Sequence, residues 1–160
     1  MTDSKSVAAK AGLQRVSDIT SLRLKKVLNQ IKASAGFRIL RLSDSAFTQN
    51  FGNANEHILK PKTLVKPQPS LDAALEIFVK LGIKPSERIQ DLTVHDSRFW
   101  LSGRVAIFKT FEYSAECVEQ LSKIDVNVLV AWEDGFENAD DLKANIYFAC
   151  KKANISFKTF

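Results

Sequence analysis

An aspartate and a lysine with hairpin spacing are the first candidates for chemistry in this chain. Asp96 lies in the β-rich run 92–101 and Lys109 in the β-rich run 104–111, and Ser102-Gly103 between the runs is a two-residue hairpin signal. With these two residues as the loop, Asp96 lies directly opposite Lys109 on one face of the sheet. Metal-dependent hydrolysis needs a carboxylate that holds the metal ion and a second group that positions the attacking water. The pair is a candidate for that role, and an ordinary cross-strand ion pair is the alternative.

A glutamate on the preceding helix is the third candidate. Ser70 is a helix N-cap residue and Gly82 is a stop signal, so the sequence predicts a helix between them. Asp72, Glu76 and Lys80 follow one another at intervals of four residues along its polar face. Glu76 is therefore either an acid of the site or the ion-pair partner of Lys80.

The elements that would position these residues occupy 70–160. Helices are predicted from Ser114 to about Ile124 and from about 139 to 153, and the final ISFKTF is predicted as a strand. The apolar run VNVLVAW at 126–132 indicates a buried strand inside the sheet. Helix, strand, strand, helix, strand, helix and strand make a mixed α/β sheet in which a hairpin feeds a β-α-β crossover.

Residues 1–69 differ in character from this core. A basic amphipathic helix is predicted to begin at Ser17 or Asp18 and to end near Ala35, and FRILRL at 37–42 reads as a short strand. The remainder, with three of the four prolines, is typical of an extended linker. The sequence thus predicts a basic, partly helical N-terminal arm and linker before the core.

The charge of the chain is divided between these two parts. Residues 1–66 hold 12 Lys/Arg and 4 Asp/Glu, a net of +8, whereas residues 67–160 hold 11 and 14, a net of −3, which together give the +5 of the whole chain. A basic half favours contact with a polyanion, and nucleic acid is the commonest one inside a cell. An acidic protein surface, or a lysine-rich face that is simply solvated, are the alternatives. The residues predicted to make the contact are Arg23, Lys25, Lys26, Lys60, Lys62 and Lys66.

The run VHDSRFWLSGRVAIFKTF at 94–111, with its flanking elements, resembles the core of the PD-(D/E)xK nuclease superfamily, to which restriction endonucleases belong. The resemblance implies a restriction-endonuclease-like sheet and a metal-dependent DNA endonuclease. It also implies a magnesium ion held by Asp96 and Glu76, with Lys109 beside the attacking water. These three residues are therefore the catalytic candidates.

The chain departs from that pattern at the second acid of the motif, where it has Ile107. Isoleucine cannot bind magnesium, and Glu112 would reach the same face only if the strand bulged. The resemblance then implies a degenerate or weakly active enzyme. The same stretch also resembles the N-terminal jaw domain of the small assembly-type subunit shared by eukaryotic RNA polymerases. That resemblance implies a non-catalytic role in a larger complex, such as a polymerase or a viral particle.

Several other classes of protein are excluded by what the sequence lacks. It has no apolar run near the roughly 18 residues of a membrane span, no signal-peptide pattern and no glycine-rich phosphate loop. No zinc spacing can be written from the two cysteines and two histidines. Cys117 and Cys150 fall on inward helix positions and are predicted to be packing residues, and His95, with no second ligand beside it, is predicted to be a structural histidine. The predicted setting is intracellular, cytoplasmic or nucleoid-associated. The choice between DNA and RNA and the oligomeric state stay open.

Overall fold

The chain divides into two compact units, residues 1–42 and 43–160. The first contains α1 (Val7–Lys10) and α2 (Val16–Gln30). The second begins within the predicted linker, and its Phe47 is 2% exposed and belongs to the hydrophobic core. The computed structural model describes residues 7–13, 15–32, 37–40, 43–47 and 68–160.

Helix α2 lies where the basic helix is predicted but is shorter than expected. It begins at Val16, just before the predicted start, because a carboxylate oxygen of Asp18 accepts a hydrogen bond from the backbone N–H of Arg15 at 2.9 Å. It ends at Gln30, before the predicted end near Ala35. None of its residues is buried.

The prediction of a strand over 37–42 is wrong for residues 37–40. They have no regular secondary structure and are exposed, while residues 41–42 lie outside the described residues. Alternating side chains make a strand only where another strand supplies hydrogen bonds. No strand of the described sheet pairs with this segment.

The second unit is built on five strands, which are β1 (Gln90–Val94), β2 (Ser97–Ser102), β3 (Val105–Phe108), β4 (Val128–Ala131) and β5 (Ser156–Thr159). They lie in the order β1-β2-β3-β4-β5, with antiparallel pairing up to β3 and parallel pairing from β3 to β5. The two parallel connections run through α4 (Cys117–Lys123) and α5 (Asp140–Lys152). The predicted mixed α/β sheet is confirmed, with β4 inside it.

The β2–β3 hairpin is present in a different register from the predicted one. The backbone N–H of Lys109 donates to the carbonyl oxygen of Arg98 at 2.8 Å, which continues the ladder of Phe99 with Phe108. Arg98, and not Asp96, therefore lies opposite Lys109. The predicted pairing of Asp96 with Lys109 is wrong.

The physical reason for this register is the burial of Ser102. The residue was predicted as part of the loop, but it is 1% exposed at the end of β2 and pairs with Val105. Its hydroxyl donates to the carbonyl oxygen of Arg88 at 3.2 Å, which satisfies the buried polar group. The turn is consequently Gly103-Arg104, and Gly103 takes the positive φ of 55° that glycine adopts without strain.

The run 92–101 was predicted as one strand and forms parts of two. Val94 pairs with Ser97, which leaves His95 and Asp96 as a tight turn between β1 and β2. His95 adopts a φ of 50°, which is uncommon for a residue other than glycine. The hairpin is therefore the second half of a three-stranded meander.

Helix α3 (Leu71–Lys80) precedes the meander and has the predicted ends. The Ser70 hydroxyl accepts a hydrogen bond from the backbone N–H of Ala73 at 3.2 Å, and Gly82 follows the helix with a φ of 84°. Its apolar face is buried in the core through Ala73, Ala74, Ile77 and Phe78.

Candidate functional site

Asp96, the predicted metal ligand, lies in the turn between β1 and β2. Both Asp96 and His95 are exposed there, and neither belongs to the ladder that joins β2 to β3. The local cause is the pairing of Val94 with Ser97, which closes the β1–β2 hairpin over just these two residues. The structure thus leaves Asp96 at the tip of a hairpin, without the predicted cross-strand pairing.

Lys109, predicted to stand beside the attacking water, pairs with a carboxylate that the sequence analysis missed. Its ammonium nitrogen lies 2.5 Å from an oxygen of Asp91 on β1 and 5.3 Å from the centre of the Trp100 ring. The Lys109 side chain is 21% exposed, whereas that of Asp91 is 79% exposed. The cation is therefore held against the sheet while its partner stays in solvent. Recognition of His95-Asp96 as a turn would have revealed β1 and, with it, Asp91.

A row of side chains across the sheet passes through the position of the missing acid. Asp91 pairs with Trp100, Trp100 with Ile107, and Ile107 with Val130. Paired residues share a face of the sheet, so all four lie on one side of it. Ile107 is completely buried. An apolar side chain thus fills the place where the nuclease pattern has its second carboxylate.

Glu76, the predicted helix acid, already uses both of its oxygens. One oxygen accepts hydrogen bonds from the Lys80 ammonium at 2.6 Å and the Ser45 hydroxyl at 2.7 Å, and the other accepts from the backbone N–H of Ala46 at 2.9 Å. The predicted alternative, an ion pair with Lys80, is confirmed. Burial raises the pKa of Glu76, but the bonds from Lys80, Ser45 and Ala46 together bring it below the ordinary value. The carboxylate anchors segment 45–47 to α3.

These carboxylates do not fit the magnesium centre that the resemblance implies. Magnesium binds through one or two carboxylates with free oxygens. Glu76 is committed to other groups, Asp96 is in a turn, Ile107 has no oxygen to offer, and Glu112 is exposed beyond the end of β3. Nor do the described residues contain any group of three or more His, Cys, Asp or Glu side chains that could hold a metal ion.

Only half of the predicted nucleic-acid contacts lie among the described residues. Arg23, Lys25 and Lys26 lie on α2 and are exposed. The other three predicted contacts, Lys60, Lys62 and Lys66, lie outside the described residues. The described part of this basic surface is therefore one helix.

The loop after β4 is tied to the core by a tyrosine. The Tyr113 hydroxyl donates to the carbonyl oxygen of Trp132 at 3.0 Å and accepts from its backbone N–H at 3.1 Å. Glu133 pairs with Lys143 at 2.6 Å. A β-carbon on Gly135 would lie 2.7 Å from Cε2 of Tyr113, so only glycine fits. These contacts tie the loop to the core, and the Glu133 carboxylate is engaged by Lys143.

The cysteines are packing residues, as predicted. Both Cys117 and Cys150 are completely buried and unpaired. Burial raises the pKa of Cys117 to about 11 and that of Cys150 to about 12, so both thiols are protonated at neutral pH. A protonated, inaccessible thiol is a poor nucleophile.

Among the described residues, no helix combines the length and apolar character needed to cross a membrane.

The chain was compared with protein-family models, curated proteins and solved structures, and none of them matches it.

Proposed function

We propose that the chain is a nucleic-acid-associated protein with a restriction-endonuclease-like core that no longer cleaves. The observation that carries the proposal is the buried Ile107 at the second acid position of the nuclease pattern, within a helix-meander-helix-strand core that supports the resemblance. Lys109, directly after β3, retains the lysine of the pattern but pairs with Asp91. A nuclease-like sheet can persist without its chemistry, because fold and function are separable.

The basic helix α2 supports the association with nucleic acid. Arg23, Lys25 and Lys26 are exposed on it, and none of them forms an ion pair with another described residue. When surface cations bind the phosphates of a nucleic acid, they displace the counterions condensed on it, and the release of these counterions favours binding at low salt. The excess of eight positive charges in residues 1–66 acts in the same direction.

Fluorescence anisotropy with single- and double-stranded DNA and RNA tests the binding. We expect binding at about 50 mM salt that weakens steeply as salt rises. Charge reversal of Arg23, Lys25 and Lys26 to Glu should reduce the affinity and flatten the salt dependence. The matched control reverses three exposed cations of the second unit, Lys84, Arg88 and Lys158. No binding at 50 mM salt, or an equal loss in the control, would overturn the nucleic-acid assignment.

A cleavage assay tests the loss of catalysis. The full chain is incubated with branched, linear and single-stranded DNA in magnesium or manganese, and we expect no cleavage. Cleavage that disappears in Asp96→Asn and Lys109→Ala would overturn this part of the proposal and restore the predicted site. Cleavage that survives both changes would point to another site or to a contaminating nuclease.

A second candidate is a non-catalytic assembly subunit, and the apolar side of α2 favours it. Leu24 and Val27 on the helix and Ile31 directly after it are 45%, 49% and 64% exposed. An amphipathic helix with an uncovered apolar stripe is a common way to bind the groove of another protein. This candidate would be supported over the first by two results together. The chain would fail to bind nucleic acid at low salt, and it would purify from cells in a complex with another protein that the variant Val27→Asp no longer forms.

A further inference from the structure

The outward face of α5 carries an ordered pattern of charge and apolar surface. The helix begins with Asp140 and Asp141 and ends with Lys151 and Lys152, and all four side chains are exposed. Charges of these signs at these ends are individually favourable for a helix. Between them, however, lie aromatic side chains that the helix dipole does not explain.

These aromatic side chains form an exposed apolar patch. Tyr147 is 47% exposed and Phe148 is 63% exposed, and their rings contact each other edge to face with centres 5.6 Å apart. Next to them, Ala144 is a small exposed residue one turn earlier on the helix. Two neighbouring aromatic rings left in water are an unusual cost unless something covers them.

The pattern is symmetric about Ile146, the buried residue at the centre of the helix. The aspartates lie six and five residues before it, and the lysines lie five and six residues after it. Ala144 and Phe148 lie two residues to either side. A two-fold axis through this point, perpendicular to the helix, would therefore bring opposite charges together at both ends and a small residue against a large one in the middle.

We propose that this α5 face is a self-association surface and that a second copy of the chain covers it through an antiparallel α5–α5 pair. In an isologous interface the same patch must complement itself, and this patch does so in charge and in size. Asp140 and Asp141 of one copy lie beside Lys151 and Lys152 of the other. Phe148 of each copy packs over Ala144 of its partner.

A groove on the same face supplies the receiving site. It has a volume of about 320 Å³ and runs between α5 and β5. Because Ala144 lines it, the ring of the partner's Phe148 in the antiparallel pair would enter the groove. Burial of that ring on both sides of the axis provides the apolar contribution to association. The residues that line it are Asp140, Lys143, Ala144, Tyr147, Phe148 and Phe157.

Sedimentation equilibrium of the full chain without nucleic acid tests the proposal. Protein concentrations of roughly 1 to 500 μM cover the weak dissociation constants expected of a small interface. We expect a monomer–dimer equilibrium. Phe148→Ala should raise its dissociation constant by about 10- to 100-fold, and Phe148→Glu should leave a monomer. The matched control is Ile124→Glu, because Ile124 is 46% exposed outside the α5 face. Far-UV circular dichroism establishes that each variant is folded.

Charge exchange makes the test specific for the antiparallel register. One variant carries Asp140→Lys and Asp141→Lys, and the other carries Lys151→Asp and Lys152→Asp. Each should be monomeric alone, because like charges then meet at both ends, and an equimolar mixture should form a heterodimer. A native chain that is monomeric throughout, dimerisation unchanged in Phe148→Glu, or no rescue in the mixture of folded variants would overturn the proposal.

Discussion

Replacement of Glu76 by alanine separates a structural anchor from a metal ligand. The substitution removes the hydrogen bonds to the Ser45 hydroxyl and the Ala46 backbone N–H, and the i,i+4 ion pair with Lys80. Each bond to a charged group is worth about 1 kcal/mol after allowance for the partial exposure of the site, and the ion pair about 0.3–0.5 kcal/mol. We expect the free energy of unfolding to fall by about 2 kcal/mol. The loss grows further if Phe47, held in the core by this segment, also comes away.

Urea unfolding of the full chain, followed by tryptophan fluorescence, measures this loss. Lys80→Ala is the matched control, because it removes the ion pair and the contact of the Lys80 ammonium with the Phe47 ring, 4.8 Å away, but keeps both anchoring bonds. It should cost at most about 1 kcal/mol. Glu76→Gln should fall between the two, since an amide retains only one acceptor oxygen.

Two results would contradict the reasoning about Glu76. An unfolding free energy for Glu76→Ala equal to that of Lys80→Ala would mean that the bonds to segment 45–46 contribute nothing. Millimolar magnesium that stabilises the native chain but not Glu76→Ala would show that the carboxylate binds metal, because a ligand that binds only the folded state raises its stability. We expect magnesium to have no such differential effect.

Three further predictions concern the same core. Folding lowers the pKa of Glu76 below its ordinary value of 4.5, so its ionised carboxylate stabilises the protein above pH 4.5 and this stability is lost as the pH falls further. In an acid titration, the free energy of unfolding of Glu76→Gln should therefore fall less than that of the native chain. Gly135→Ala should lower the thermal unfolding midpoint, at a cost of roughly 1–3 kcal/mol, because the new methyl group meets Tyr113; an unchanged midpoint would contradict this. Lys109→Met should change the unfolding free energy by less than about 1 kcal/mol, because Asp91 is solvated and methionine keeps the apolar stem; a larger loss in urea would show a stronger pair.

The sequence by itself determined the helices of the core and its buried strand, but not the division of the run 92–101 between β1 and β2. Ser70 and Gly82 marked the ends of α3, and the unbroken apolar run at 126–132 marked the buried strand β4. These signals are local, because a cap or a stop acts within one helical turn and an apolar run reports burial wherever it lies. They were therefore legible without any knowledge of the partners. The i,i+4 pair of Glu76 with Lys80 was legible for the same reason.

The tertiary structure alone decided which residues meet across the sheet. Ser102 belongs to β2 and not to the predicted loop, because its buried hydroxyl donates to the carbonyl oxygen of Arg88, fourteen residues away along the chain. The β2–β3 register is shifted accordingly. His95 adopts a left-handed conformation, and the turn that it forms with Asp96 separates β1 from β2 and brings Asp91 to Lys109. Strand register and side-chain partners depend on burial and hydrogen bonding between distant segments, so they cannot be predicted from the spacing of residues within one segment.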